Sequence, residues 1–153
     1  MSSTELARIG KVVAVAGGAL FLLIQLVPYG RRHTNPPVIQ EPNWDRPLTR
    51  ELAVRACFDC HSNETRWPWY SHVAPISWLV QRDVEVGRRV VNFSEWQRSY
   101  EEAGESADTV VEGEMPPAYY HVAHPSARLS PGEKNALVRG LDATLGRGAP
   151  ERD

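Results

Sequence analysis

The longest apolar run comes first. Between Lys11 and Arg31 nineteen residues, Val12 to Gly30, carry no charge. At 1.5 Å per residue this is close to the roughly 20 residues that cross a hydrocarbon core of about 30 Å. A buried core helix would need protein on every side, more cover than so short a chain provides. A cleaved signal peptide has its positive end in Arg8 and Lys11, but its small-x-small site, Ala14-Val15-Ala16, falls too early. Residues 1–28 are therefore read as an uncleaved membrane anchor, with cleavage as the alternative.

The next stretch breaks periodicity. Pro28, Pro36, Pro37, Pro42 and Pro47 oppose helix and favour extended backbone. Residues 29–47 are read as a proline-rich linker, able to reach about 60 Å at about 3.1 Å per residue. Its second half has a second reading, a loop on the domain surface with Trp44 docked.

Beyond it the apolar spacing is helical. Thr49 is placed to cap a helix through Leu52, Val54 and Ala56 to about Cys60. Pro75 opens a second, with Ile76, Leu79, Val80, Val84 and Val90 on one face. Ser94 and Gln97 have capping-box spacing and predict a short helix through Trp96 and Tyr100. Ser130-Pro131-Gly132-Glu133 combines a capping box with proline at the first helical position, and the helix it opens stops at Gly146. No sustained strand alternation occurs. The expectation is an all-α fold, a small helical domain over residues 48–147.

Composition changes the picture only slightly. The net charge is -2 over 153 residues, which gives no broad attraction to nucleic acid. Setting aside residues 1–33, with four basic and one acidic side chain, leaves 13 basic against 18 acidic residues. This part is mildly acidic and suited to a basic patch on a protein partner. Two cysteines cannot build a disulfide framework.

Both cysteines stand in Cys57-Phe58-Asp59-Cys60-His61, and Cys-x-x-Cys-His is the attachment pattern of c-type haem. Each thiol would form a thioether to a vinyl group while the adjacent imidazole reaches the iron. A short helical turn supplies that geometry. A thioredoxin-like pair expects a βαβ context that is missing. A zinc site needs four ligands, and no second paired cluster follows.

The sixth iron position decides the function. Met115, the only methionine besides the first residue, lies in Gly113-Glu114-Met115-Pro116-Pro117, a stiff extended loop. It is the candidate ligand opposite His61, with His72, His121 and His124 as rivals; His124, before Pro125, reads more as a structural or surface residue. Trp67, Trp69 and Arg66 are candidate pocket residues, the indole N–H groups and the guanidinium being donors for haem propionates. Trp78 and Trp96, at helical positions, read as ordinary core.

An ordered set of motifs runs through the chain: Cys57-x-x-Cys60-His61-Ser62-Asn63, Trp67-Pro68-Trp69-Tyr70-Ser71, Pro75-x-Ser77-Trp78, Asp83-Val84-x-x-Gly87-Arg88, Asn92-Phe93-Ser94-x-Trp96, Gly113-Glu114-Met115-Pro116-Pro117 and Leu129-Ser130. It resembles the bacterial haem-binding domain family, small single-haem c-type proteins, over roughly residues 40–145, with the first 33 residues outside. The resemblance implies one covalent haem c at Cys57 and Cys60, His61 as axial ligand and Met115 opposite.

The function expected is electron transfer by a membrane-tethered cytochrome, not catalysis, with redox proteins as partners. Attachment of haem c takes place outside the cytoplasmic membrane, so the domain is expected on the periplasmic side. A haem-based sensor of small gases and a peroxidase-like protein are the alternatives.

Overall fold

In a computed structural model, which describes residues 2–146, the chain is all-α, as expected. The helices are α1 (Ser3–Ile24), α2 (Pro47–Ala56), α3 (Phe58–His61), α4 (Ile76–Val90), α5 (Ser106–Glu112), α6 (Tyr120–Ala123) and α7 (Pro131–Leu145). Among the described residues the only β pairing is one parallel bridge, Gln40 to Glu95.

The chain divides into two compact units. One takes the residues up to His33 together with Trp67–Arg82; the other takes Thr34–Arg66 and the chain from Asp83 onward.

In the first unit, α1 opens on a capping box in which Ser2 and Glu5 satisfy each other's backbone N–H groups. None of its residues is buried. It is the one helix among the described residues long and apolar enough to cross a membrane, a property it shares with signal sequences.

The second unit holds the apolar core. Leu52 and Ala53 of α2, Ala107 and Val110 of α5, and Leu137 and Leu141 of α7 close around Phe58, Val91 and Phe93. Gly140 lets α7 approach α2 closely, because a Cβ there would collide with the Thr49 side chain. Arg55 ties the same two helices at the rim, donating to Glu133 at 2.5 Å.

Two helix starts behave as the sequence indicates. α4 begins directly after Pro75, and α7 has the full Ser130–Glu133 capping box and ends at Gly146. Two do not. Thr49 is no cap: Pro47 opens α2, where a missing N–H costs nothing, and Thr49 lies buried with its hydroxyl on Asp45 at 2.5 Å. Ser94 starts no helix, for it is fully buried and its atoms are used elsewhere. The helix α5 and the one-turn helix α6 were not expected.

The proline-rich run is extended, as its prolines dictate. From Thr34 onward it lies along its own unit: Asn35 donates to Thr65 O at 2.9 Å, Ile39 and Gln40 donate to Ser94 O at 2.8 and 3.1 Å, and Trp44 packs on Phe93 with ring centroids 5.3 Å apart.

Candidate functional site

The site is built on a helix break. α2 does not continue to Cys60; it ends at Ala56, and Cys57 (φ −124°, ψ −36°) starts the single turn α3. The Cys57 carbonyl accepts from Cys60 N–H at 3.1 Å and His61 N–H at 2.9 Å. Two thiols and one imidazole therefore leave from one tight turn. Phe58, between them, is buried against Phe93 at 5.6 Å and anchors the turn in the core.

His61 has a defined proton. Its Nδ1 lies 3.1 Å from the Val91 carbonyl oxygen, which can only accept, so Nδ1 carries the hydrogen and Nε2 keeps its lone pair. Burial holds the imidazole pKa below its ordinary value, against the opposing pull of the Val91 and Gly87 carbonyls. A neutral ring oriented through its other nitrogen is the usual state of a metal-bound histidine.

Both thiols are held protonated. Burial pushes both up to about 12, helped at Cys60 by the charges of Asp83 and Asp59. A Cys-x-x-Cys oxidoreductase works instead through a lowered pKa. Among the described residues, no cluster of three or more His, Cys, Asp and Glu side chains is placed to hold a metal ion.

The turn is seated closely on α4. A Cβ at Gly87 would come within 2.5 Å of the Cys60 carbonyl oxygen, so only glycine lets the helix backbone pass. After the motif a polar scaffold takes over. Phe93 N–H donates to His61 O at 2.8 Å, and Asn63 N–H donates to Ser94 Oγ at 2.9 Å. Asn92 Nδ2 donates to Asn63 Oδ1 at 2.9 Å, deep in the protein. Arg88 donates to Ser62 O at 2.8 Å and to Thr65 Oγ1 at 2.9 Å.

Asp59, the second intervening residue, is buried and organises a further group. Its carboxylate accepts from Arg66 Nε at 3.1 Å and from the Tyr120 hydroxyl at 2.6 Å. Burial, then the bond to Asp59, raises the Tyr120 pKa, so the phenol stays protonated. His124 stacks on Tyr120 with ring centroids 4.0 Å apart and has Nε2 4.0 Å from Asp59. The sequence reading missed Asp59, Tyr120, Gly87, Arg88, Asn92 and the Val91 carbonyl as parts of the site. Of these, Gly87, Arg88 and Asn92 stand among the quoted motifs, as do Ser62-Asn63 and Phe93-Ser94, but no role was read from them.

The remaining candidates fall in different places. Arg66 is engaged with Asp59 while its side chain stays largely exposed. Met115 follows α5, its N–H donating to Thr109 O at 3.1 Å, and its side chain is 39% exposed, outside the apolar core. His121 Nδ1 is buried without a hydrogen-bond partner. His124 has the structural role just given. Trp67, Trp69 and His72 belong to the other unit: Trp67 stacks on His33 at 4.5 Å, His33 meets His72 edge-on at 4.2 Å, and Trp69 is exposed. Trp96 stacks on Phe93 in the core as expected, whereas the buried Trp78 Nε1 has no hydrogen-bond partner.

The family model described as Haem-binding domain matches residues 19–143. The chain belongs to the haem-binding domain family. The match begins earlier than the motif resemblance, taking in part of the apolar run as well as the linker. No curated protein and no solved structure matches the chain. For a haem-binding domain the residues present fit the group: two uncharged thiols, a neutral imidazole with a free Nε2, and one turn carrying all three.

Proposed function

We propose that this haem-binding domain is a membrane-tethered c-type cytochrome that carries electrons on the outer side of the cytoplasmic membrane. One haem would be bonded to Cys57 and Cys60, with His61 and Met115 as iron ligands. The observation that carries this reading is the His61 imidazole, oriented by Val91 with Nε2 left free, in the same turn as both cysteines.

Haem, when bound, supplies a one-electron couple. The rest belongs to the chain. The Val91 carbonyl fixes the His61 tautomer and makes Nε2 a better donor. The Asn63–Ser94 and Asn92–Asn63 bonds hold the backbone beside that ring in place, which suits a site that changes little between oxidation states. A Met115 thioether would raise the potential relative to a second histidine. Helix α1 would tether the chain, its amino terminus inside, and the acidic surface would meet basic patches on redox partners. The proposed role is transfer, not catalysis.

A second reading, histidine in the sixth position, is favoured by the buried and unpartnered His121 Nδ1. The oxidised spectrum decides. A methionine–iron charge-transfer band that vanishes in Met115→Ala supports Met115. Absence of the band from the parent protein, with a spectrum altered by His121→Ala, supports histidine. A high-spin spectrum with rapid peroxide or carbon monoxide binding would overturn the electron carrier in favour of a peroxidase-like protein or sensor.

A further inference from the structure

The end of α1 is bound to the segment Trp67–Arg82 within one compact unit. Gln25, the C-cap of α1, makes a two-point clamp: its Nε2 donates to Ala74 O and its Oε1 accepts from Ala74 N–H, both at 3.0 Å. Gly30, at φ +80°, lies so close to Ser77 that a Cβ would come within 2.6 Å of the Ser77 carbonyl oxygen. His33 donates from Nε2 to Ser71 O at 3.0 Å. Three attachments thus fall within nine residues of the last residue of α1.

This arrangement sets a depth. The uncharged part of α1, Val12–Ile24, covers about 20 Å at about 1.5 Å per residue, and the uncharged run ends at Gly30. A crossing chain therefore brings the stretch from Gln25 to Gly30 to the far edge of a hydrocarbon core of about 30 Å, where the headgroup zone extends only about 5–8 Å further. Whatever Gln25 and Gly30 hold must sit in or beside that zone. The residues held there are apolar and uncovered: Trp69 is 78% exposed and Ile76 46%, beside Leu26 and Tyr29 on the chain leaving α1. Single exposed apolar residues are ordinary on a protein surface. A tryptophan and an isoleucine fastened to the end of a spanning helix are placed where the interface favours amphipathic and apolar side chains. Arg31 and Arg32, exposed at the same junction, add charge complementary to lipid phosphates.

We propose that Trp69 and Ile76 insert into the headgroup zone of the bilayer that α1 crosses, giving the chain a second, interfacial membrane contact. This rests on the reading of α1 as a spanning helix. The segment then rides on the lipid surface and does not swing free on the proline-rich run.

The test uses the full-length exported holoprotein in phosphatidylcholine–phosphatidylglycerol vesicles. A nitroxide is attached to Trp69→Cys or Ile76→Cys, with Leu22→Cys in α1 and Glu112→Cys in the other unit as references and the labelled parent as blank. The reading is the ratio of collision with oxygen to collision with a water-soluble nickel chelate. The expected ratio at Trp69 and Ile76 is several-fold above Glu112 and below Leu22. Water-like values at Trp69 and Ile76 with Leu22 deep would overturn the interfacial contact alone. Exclusion of both reagents there would also overturn it, in favour of cover by protein. A water-like value at Leu22 would remove the spanning helix and this contact together.

Discussion

Within the larger unit two regions are held together by different physics. Around Phe93, α2, α5 and α7 meet through Leu52, Val110, Leu137 and Leu141, with side chains that have no polar partner to find. Beside it the backbone around the turn from Cys57 to His61 is held by buried polar groups: Asn63, Asn92 and Ser94 bond to one another, while the Ser62 and Thr65 hydroxyls donate to Phe58 O and Asp59 O. The apolar region tolerates exchange of similar volumes and mainly supplies stability. The polar region is directional, because each donor accepts one geometry, and it fixes where His61 points. Stability and precision are separated in space.

The largest effect is expected where the two regions share a dependence on haem. With Cys57 and Cys60 both replaced by Ala, little folded protein is expected, since a domain of about 120 residues buries only about two-thirds of its surface. A cooperative, native-like melt of that haem-free variant would separate the body from its cofactor. Leu137→Ala, at a site with no exposed surface, is expected to cost about 2–5 kcal/mol in denaturant unfolding while the haem spectrum stays unchanged. Ser94→Ala leaves the buried Asn63 N–H without its acceptor, a loss of about 1–3 kcal/mol. Despite the smaller cost, it is the variant expected to shift the spectrum and the midpoint potential. If Leu137→Ala moved the potential and Ser94→Ala did not, the division of labour would be reversed.

The smallest effect is a pH window at the rim of the apolar region. The Arg55 bond, then the Ser130 groups of the capping box, hold the Glu133 carboxyl down at about 2 from an ordinary 4.5. A depressed folded-state value means the contribution is complete above about 4.5 and is lost as pH falls toward about 2. Thermal melts of the parent should therefore fall across that window relative to Glu133→Gln. Parallel curves would show that the Arg55 and Ser130 contacts add nothing.

The comparison also separates what the sequence discloses from what it hides. Helix α7 was legible because Ser130, Pro131 and Glu133 act within four residues, and α4 because Pro75 precedes a regular apolar face. The Cys57–His61 motif is just as local, its five residues being consecutive, and it stands as an expectation that haem attachment tests. Ser94 carried an equally good local signal for a helix, yet the buried Asn63 N–H, 31 positions away, claimed its oxygen. The break at Cys57 was hidden because Ala56 and Phe58 both suit a helix. Asp59 read as a variable position inside the motif, while its partner Tyr120 lies 61 residues along the chain. Helix α5 is too short for periodicity to reveal. Polar partnerships across long separations have no period, and they are what escaped.

The most direct measurement is the mass and colour of the exported chain after denaturation and acid–acetone extraction. Cys57 and Cys60 bonded to porphyrin should leave a coloured polypeptide heavier by one haem. A colourless chain with the mass of bare polypeptide would contradict covalent attachment, and with it the assignment of the turn from Cys57 to His61.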